Sequence, residues 1–199
     1  MIIWLNGAFG VGKTTTARQL TTLLPNARLL DTEQVGYMLW HVLGKPARDF
    51  QEFPPWRGLV VETARQVLDH VGGTLVVPQT VLEKPYWREI RTGLVQAGIP
   101  LRHFVLHADH NTLVERIQND TDPESVGVRR RRLDHLHDYD EALLWLRGEA
   151  ELIDTTGVPP AMVAKLVKTM IRHQGASAMR ENVHPGFRES SPRSASNPR

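Results

Sequence analysis

Cysteine and long apolar runs are both missing from this chain. None of its 199 residues is a cysteine, which excludes disulfide bonds and metal sites built from thiolates. No apolar stretch approaches the roughly 20 residues that a membrane-spanning helix needs. A predicted strand starts almost at Met1, which leaves no space for a secretory signal before it. We therefore expect a cytoplasmic protein without a transmembrane segment, and peripheral contact with a membrane surface stays open.

A large excess of charge of one sign is also missing. The chain has 24 basic and 22 acidic residues, and the four arginines and two glutamates after residue 174 account for the whole difference. A nucleic-acid-binding domain usually carries a basic face, so we expect no nucleic-acid partner. Residues 175–199 are rich in Ser, Pro, Arg and Asn, which predicts a disordered tail. Residues 1–174 are then a single folded domain.

Five short apolar segments alternate with helical patterns along that domain. The predicted strands are 1–5, 28–31, 74–77, 101–106 and 151–153. Continuous apolar strands separated by helices are typical of a parallel sheet covered on both faces. We predict a three-layer α/β/α fold with a five-stranded parallel sheet. We also predict a mobile loop over residues 121–128, followed by a long helix from about residue 129 to 146.

The strongest functional signal lies between the first strand and the first helix. The segment GAFGVGKT, residues 7–14, matches G-x-x-x-x-G-K-[ST], which binds nucleotide phosphates when a strand precedes it and a helix follows. Glycines let backbone N–H groups point at the phosphates. We expect Lys13 to neutralise phosphate charge and the Thr14 hydroxyl to bind Mg²⁺. The predicted phosphate contacts are Gly7, Ala8, Phe9, Gly10, Val11, Gly12, Lys13, Thr14 and Thr15.

Two further polar residues follow predicted strands. Asp31 ends the second strand, at the edge where open parallel sheets bind ligands. A carboxylate there could accept a proton from a substrate hydroxyl or help to hold Mg²⁺, or it could cap the next helix together with Gln34. The third strand lacks the metal-binding aspartate of many P-loop enzymes, so Gln79 could contact a substrate only through its amide. No Asn-Lys-x-Asp segment that reads guanine is present, and ATP is the expected nucleotide.

Several arginines are candidates for binding anionic groups. Arg57 could clamp a substrate, and Arg116 could stack on adenine, although each could equally be an exposed surface residue. The run 129–132 consists of four arginines after the predicted loop, and they must point to different sides of a helix. One or two of them could reach a γ-phosphate from a lid spanning about residues 119–132. We take Arg129 and Arg132 as the candidates without choosing between them.

Five segments resemble the tunicamycin-resistance ATP-binding family. They are MIIWLNGAFGVGKT, DTEQVGYML, DFQEFPPWR, LVVPQT and the Leu-x6-Leu-x2-Arg run that ends at Arg116, all in the same order over about residues 1–155. That family is similar in layout to the nucleoside-monophosphate kinases, so the resemblance implies a kinase-like P-loop fold that uses ATP and Mg²⁺. It also implies that Asp31 is the substrate-side carboxylate, that Arg116 stacks on adenine, and that Thr155 and Gly157 surround the base. The contiguous arginines depart from the spaced pattern of those kinases' lids.

Three functions remain open from the sequence. The protein could be a kinase that inactivates a nucleoside antibiotic such as tunicamycin by phosphorylating a hydroxyl group. It could instead use ATP to bind and sequester the drug without transferring phosphate, or it could phosphorylate a cellular nucleoside or sugar. A phosphate loop and a nearby carboxylate serve all three, and the sequence does not determine the oligomeric state. Apolar residues between the second and third strands could form a groove for the drug's acyl chain or simply pack in the core: Met38, Leu39, Trp40, Phe50, Phe53 and Trp56.

Overall fold

A computed structural model describes residues 1–44, 49–121 and 123–181, with the backbone alone for residues 123–126 and 174–181. In these ranges strands and helices alternate, with a short 3-10 helix at Phe50–Glu52. The strands are β1 (Ile2–Gly7), β2 (Ala27–Leu29), β3 (Thr74–Pro78), β4 (Leu101–His107) and β5 (Glu151–Asp154). The α-helices are α1 (Lys13–Leu23), α2 (Glu33–Leu43), α3 (Pro54–Val71), α4 (Lys84–Gln96), α5 (His110–Gln118), α6 (Pro123–Glu149) and α7 (Pro160–Glu181).

The strands form one parallel sheet in the order β2-β3-β1-β4-β5. The central strand β1 is buried along its whole length, as expected for a strand with helices on both faces. The predicted α/β fold with a five-stranded parallel sheet is confirmed. Because the strands are parallel, the loops that leave their carboxyl ends meet at one edge of the sheet, and the glycine-rich loop after β1 lies at the middle of that edge.

An apolar core fills each side of the sheet. On one side three fully buried tryptophans dominate, and the rings of Trp4 and Trp87 meet edge to face with centroids 5.3 Å apart. Most of the side chains considered for an acyl-chain groove belong to this core. Leu39, Phe50 and Trp56 are buried, and a Cβ at Gly36 would lie only 2.5 Å from the Phe50 ring. Core packing therefore accounts for these three residues.

Two predicted boundaries were wrong. Helix α6 starts at Pro123, so the loop predicted over 121–128 is mostly helix. Proline is favoured in the first turn of a helix because its missing N–H is not needed there, and this preference outweighs the loop-like composition. Helix α7 continues to Glu181, past the predicted start of the tail at Gly175. The rest of the predicted tail, 182–199, lies outside the described residues, as does Asp122 in the predicted lid.

No helix within the described ranges is long and apolar enough to cross a membrane.

Candidate active site

The loop between β1 and α1 has a backbone that only glycine can adopt at three positions. Gly7, Gly10 and Gly12 have φ angles of 135°, 77° and 94°, a region that other residues avoid. A Cβ at Gly7 would lie 2.3 Å from the carbonyl oxygen of Leu106. Helix α1 starts at Lys13 with no side-chain cap, so its first N–H groups remain available to an anion.

The Lys13 side chain folds back over this loop. Its ammonium donates to the carbonyl oxygens of Gly7 at 2.9 Å and of Ala8 at 2.7 Å. Only 9% of the residue is exposed, and this burial lowers the pKa of Lys13 to about 7, while the Glu33 carboxylate opposes the change. The loop therefore contains a buried cation whose proton is held weakly until an anion arrives.

A network of polar side chains fixes the loop to β3. The Thr80 hydroxyl donates to the Gly7 carbonyl at 2.9 Å, and the Asn6 amide bridges the backbone of Gly7 and Val81. Gln79, which the sequence suggested as a substrate contact, is 5% exposed. Its oxygen accepts from the Thr32 hydroxyl at 2.8 Å. The structure places Gln79 between β3 and the start of α2, where it supports the site from behind.

A cavity of about 410 Å³ opens on one side of the loop, and we call it the Arg116 cavity. Gly10, Gly12 and Thr16 contribute the loop side of its lining. Arg116 donates to the carbonyl oxygen of Thr155 at 3.0 Å. Three residues predicted from distant segments to surround the nucleotide base therefore line this one cavity: Arg116, Thr155 and Gly157.

The start of α2 brings two carboxylates to the other side of the loop. Asp31 is exposed, and its oxygens accept from the Glu33 backbone N–H at 3.0 Å and from the Gln34 amide at 3.2 Å. The N-cap of α2 is Thr32, whose side chain makes no cap hydrogen bond, so the capping box predicted for Asp31 and Gln34 is not formed, and Asp31 binds the first helical turn from one residue before the cap. Glu33 is partly buried, and burial together with the Asp31 charge raises its pKa, whereas the Lys13 charge lowers it. Glu33 is thus a site carboxylate that sequence reasoning missed, because it resembled an ordinary acidic residue in a first helical turn.

The four arginines of α6 point in different directions, as predicted. Arg132 lies beside the phosphate loop: its guanidinium is 5.8 Å from the centre of the Phe9 ring, and its charge lowers the pKa of Lys13. Arg132 also pairs with Asp120 at 3.0 Å. Arg129 donates to the Asp120 carbonyl oxygen instead, while the Arg130 side chain is 93% exposed. Of the two candidates, Arg132 is the one whose charge acts on the site.

Arg57 lies behind the site. It is buried, and its guanidinium donates at 2.5 Å both to Glu89 and to the carbonyl oxygen of Gln51. It also lies 4.3 Å from the centre of the Tyr86 ring. These contacts position the backbone of Gln51 and the ring of Tyr86. Both of those residues line another cavity next to the phosphate loop. Arg57 therefore has a structural role that explains its position without the substrate contact predicted for it.

The second cavity, of about 130 Å³, is the Phe9 cavity. Phe9 comes from the phosphate loop, and Thr80 is the residue whose hydroxyl holds the Gly7 carbonyl. Tyr86 adds a second aromatic ring to the lining. Four acidic residues also line this cavity: Asp49, Glu52, Glu83 and Asp138. Sequence reasoning did not find these four, since they come from three separate segments.

The geometry of the loop suits the phosphate groups of a nucleotide. Its glycines keep the phosphate position clear of Cβ atoms, and the exposed Thr14 and Thr15 start α1 beside Lys13. Among the described residues no group of three or more His, Cys, Asp or Glu side chains could hold a metal ion. Mg²⁺ in phosphoryl-transfer sites is usually held by one or two protein oxygens plus the phosphates and water, and Thr14 could supply one such oxygen.

Comparison with known proteins agrees with this geometry. Residues 2–143 match the AAA domain family. The structure of the Deinococcus radiodurans tunicamycin resistance protein is 31% identical to the chain, with a TM-score of 0.64, over 85% of this chain and 94% of that one. The chain belongs to the AAA domain family. It is a P-loop protein related to the tunicamycin resistance protein, so the resemblance read from the sequence is confirmed.

Two kinases share the fold at low identity. A gluconokinase from Sinorhizobium meliloti 1021 is 18% identical, with a TM-score of 0.60, over 92% of this chain and 97% of that one. The Mycobacterium tuberculosis APS kinase, solved with AMPPNP and APS, is also 18% identical, with a TM-score of 0.59, over 86% and 96%. These likenesses support a kinase-like P-loop fold. No curated protein matches the chain.

Proposed function

We propose that this protein is an ATP-dependent phosphotransferase that phosphorylates a hydroxyl group of a nucleoside antibiotic such as tunicamycin. The observation that carries the proposal is the pair of cavities on either side of one phosphate loop, in a chain related to a tunicamycin resistance protein. Phosphoryl transfer needs a donor and an acceptor on opposite sides of the γ-phosphate. A loop with two cavities supplies that arrangement.

The donor nucleotide belongs in the Arg116 cavity in this proposal. ATP with Mg²⁺ supplies the phosphoryl group and much of the charge neutralisation. Arg116 covers the base, and Thr155 and Gly157 border it. The loop N–H groups and Lys13 hold the phosphates, while the Thr14 hydroxyl takes one position on the metal. The role of the residues is positioning and electrostatic stabilisation, which dominate catalysis of phosphoryl transfer.

The acceptor belongs in the Phe9 cavity. Its hydroxyl group would face the phosphate loop near Asp31 and Glu33, and one of these carboxylates would take the proton that the hydroxyl loses. Asp31 is the residue proposed from the sequence, and Glu33 is the alternative because burial raises its pKa above the ordinary value for a glutamate, which favours proton uptake. Arg132 would stabilise charge on the transferred group from α6.

Mass spectrometry tests the proposal. Tunicamycin incubated with the protein and Mg-ATP should gain the mass of one phosphoryl group, in an amount that grows with time. The Lys13→Ala variant should give no product and should lose most of its ATP affinity, because no other lysine lies in the loop. If the protein protects cells against the drug in proportion to its amount, and the drug shows no change in mass, the result would favour ATP-dependent sequestration and defeat the proposal. Product in normal yield from Lys13→Ala would also contradict it.

A further inference from the structure

The lining of the Phe9 cavity carries an uneven charge. Four carboxylates contribute to it, and no lysine or arginine among the described residues does. The cavity is not defined by these acids, since the loop residue Phe9 and the Thr80 that holds the loop also line it. At about 30 Å³ for each water molecule, 130 Å³ has room for roughly four waters, or for one sugar-sized ring.

Two of the four carboxylates already have side-chain partners. Asp49 accepts from Arg131 at 2.8 Å, and Asp138 accepts from the ring of His135 at 2.8 Å. Glu52 is partly exposed and Glu83 is exposed, and neither has an ion pair with any residue that the structure describes. Within the described part of the chain, Glu52 and Glu83 are therefore the two carboxylates of this cavity without an ion-pair partner.

A negatively charged group that entered this cavity would meet like charge at close range. Like charges a few ångströms apart repel each other, and juxtaposed like charges are a general means of rejecting wrong partners. Polyhydroxyl rings fare differently, because their hydroxyl groups can donate to the free carboxylates. Tyr86 and Phe9 add apolar ring surfaces against which a sugar or base can pack.

We propose that the acceptor site takes a hydroxyl group carried on an uncharged or cationic ring and rejects anionic acceptors, with Glu52 and Glu83 as the residues that set this specificity. The inference rests on the proposed function and deepens it.

Three nucleosides that differ in the charge of the 5′ group test the inference. They are 5′-amino-5′-deoxyuridine, uridine and uridine-5′-carboxylic acid, none of which carries a phosphate that could bind the phosphate loop, and binding is measured by calorimetry on the full chain without ATP. A second series, glucosamine, glucose and glucuronate, repeats the charge change on a smaller ring. We expect the amine to bind most tightly and the anion at least about tenfold more weakly than the neutral compound. Equal behaviour of the three charge states in both series, including no binding by any of them, overturns the inference.

Variants separate the two glutamates from general surface charge. Glu52→Gln and Glu83→Gln should each narrow, by severalfold, the gap in binding affinity between the anion and the neutral compound. The double variant should narrow this gap most. Asp69→Asn removes the same charge from an exposed position on α3 that belongs to neither cavity, and it should leave the gap unchanged. A gap that persists in the double variant, with an unchanged melting temperature, contradicts the role of the glutamates.

The two proposals can fail separately. Tunicamycin that gains no phosphate, in a protein that still prefers cationic and neutral rings, would defeat the phosphotransferase proposal alone. Phosphorylated drug from a protein that binds the anions as well as the neutral compounds would defeat the specificity inference alone.

Discussion

Lys13 is buried and charged, and its lowered pKa makes nucleotide binding depend on pH. In the free protein the pKa of Lys13 is lowered to about 7 by desolvation. Bound phosphates would raise this pKa, because an adjacent anion favours the protonated amine. Below pH 7 the lysine is protonated in both states, and it has no effect on the pH dependence. Above pH 7, binding must take up a proton, so affinity falls as the pH rises.

We expect ATP affinity to decrease between pH 7.5 and 9.5 by up to about tenfold for each pH unit, the limit for uptake of one proton. Calorimetry in buffers of different ionisation enthalpy should report proton uptake directly. The Lys13→Arg variant is the control, since a guanidinium does not titrate in this range and its affinity, whatever its value, should not change with pH. A flat profile in the unaltered protein would contradict the lowered pKa.

Asp31 and Glu33 can be distinguished by amide substitutions. If Asp31 is the base, Asp31→Asn should keep ATP affinity within a few-fold and lower product formation by about 10²–10⁴-fold, the usual contribution of a general base. Asparagine can accept the same hydrogen bond from the Glu33 N–H, so stability should hardly change, whereas Asp31→Ala should cost about 1 kcal/mol.

The matched change is Glu33→Gln, two residues further along the chain. Product formation, ATP binding and melting are measured for each variant. Full product formation by Asp31→Asn, together with its loss in Glu33→Gln, would move the base from Asp31 to Glu33. Full product formation by both variants would remove the general base from the mechanism.

Among the elements, helix α6 carries the clearest functional contrast, because neighbouring arginines on it have opposite environments. Arg132 lies beside Phe9 and Lys13, whereas the Arg130 side chain extends into solvent and pairs with Asp134. We expect Arg132→Ala to slow phosphoryl transfer by about 10²-fold, as the loss of a transition-state donor does, with a smaller effect on ATP affinity. Arg130→Ala makes the same change in side chain on the same helix and should keep its rate. Equal rates in single-turnover assays of the two variants would rule out a special role for Arg132.

Helices and strands were predicted best where the pattern of apolar residues agrees with the glycine or proline residues at the ends of the segment. Two adjacent glycines are a typical helix stop, and α3 does end at the pair that begins with Gly72. The strand β1 was placed by its apolar run. The start of α6 was wrong because residues 121–128 contain Asp, Pro, Ser and Gly, which occur both in loops and at helix starts. Composition over so short a segment does not separate the two.

At the scale of the whole molecule, α7 packs on α1. The buried residues of α7 are Val163, Ala164 and Val167, all well before residue 174. The segment 182–199 has few large apolar residues, and such a composition cannot offset the entropy of ordering. We expect a chain that ends at Glu181 to keep its ATP affinity, with a melting temperature within a few degrees of the full chain. A larger decrease, measured by calorimetry, would show that this segment packs on the domain.

The sequence by itself determined the phosphate loop and the alternation that produces a parallel sheet. Both follow from local rules, because a loop motif, a strand and a helix each depend on residues that are near one another in the chain. Arg116, Thr155 and Gly157 are far apart in the chain, and the family resemblance assigned them to one site. Only the tertiary structure decided that Glu33 and Arg132 act on Lys13, that Arg57 supports a cavity wall, and that four acids from three segments line the Phe9 cavity. Such charges interact through space, and their distance in the folded chain is unrelated to their distance along the sequence.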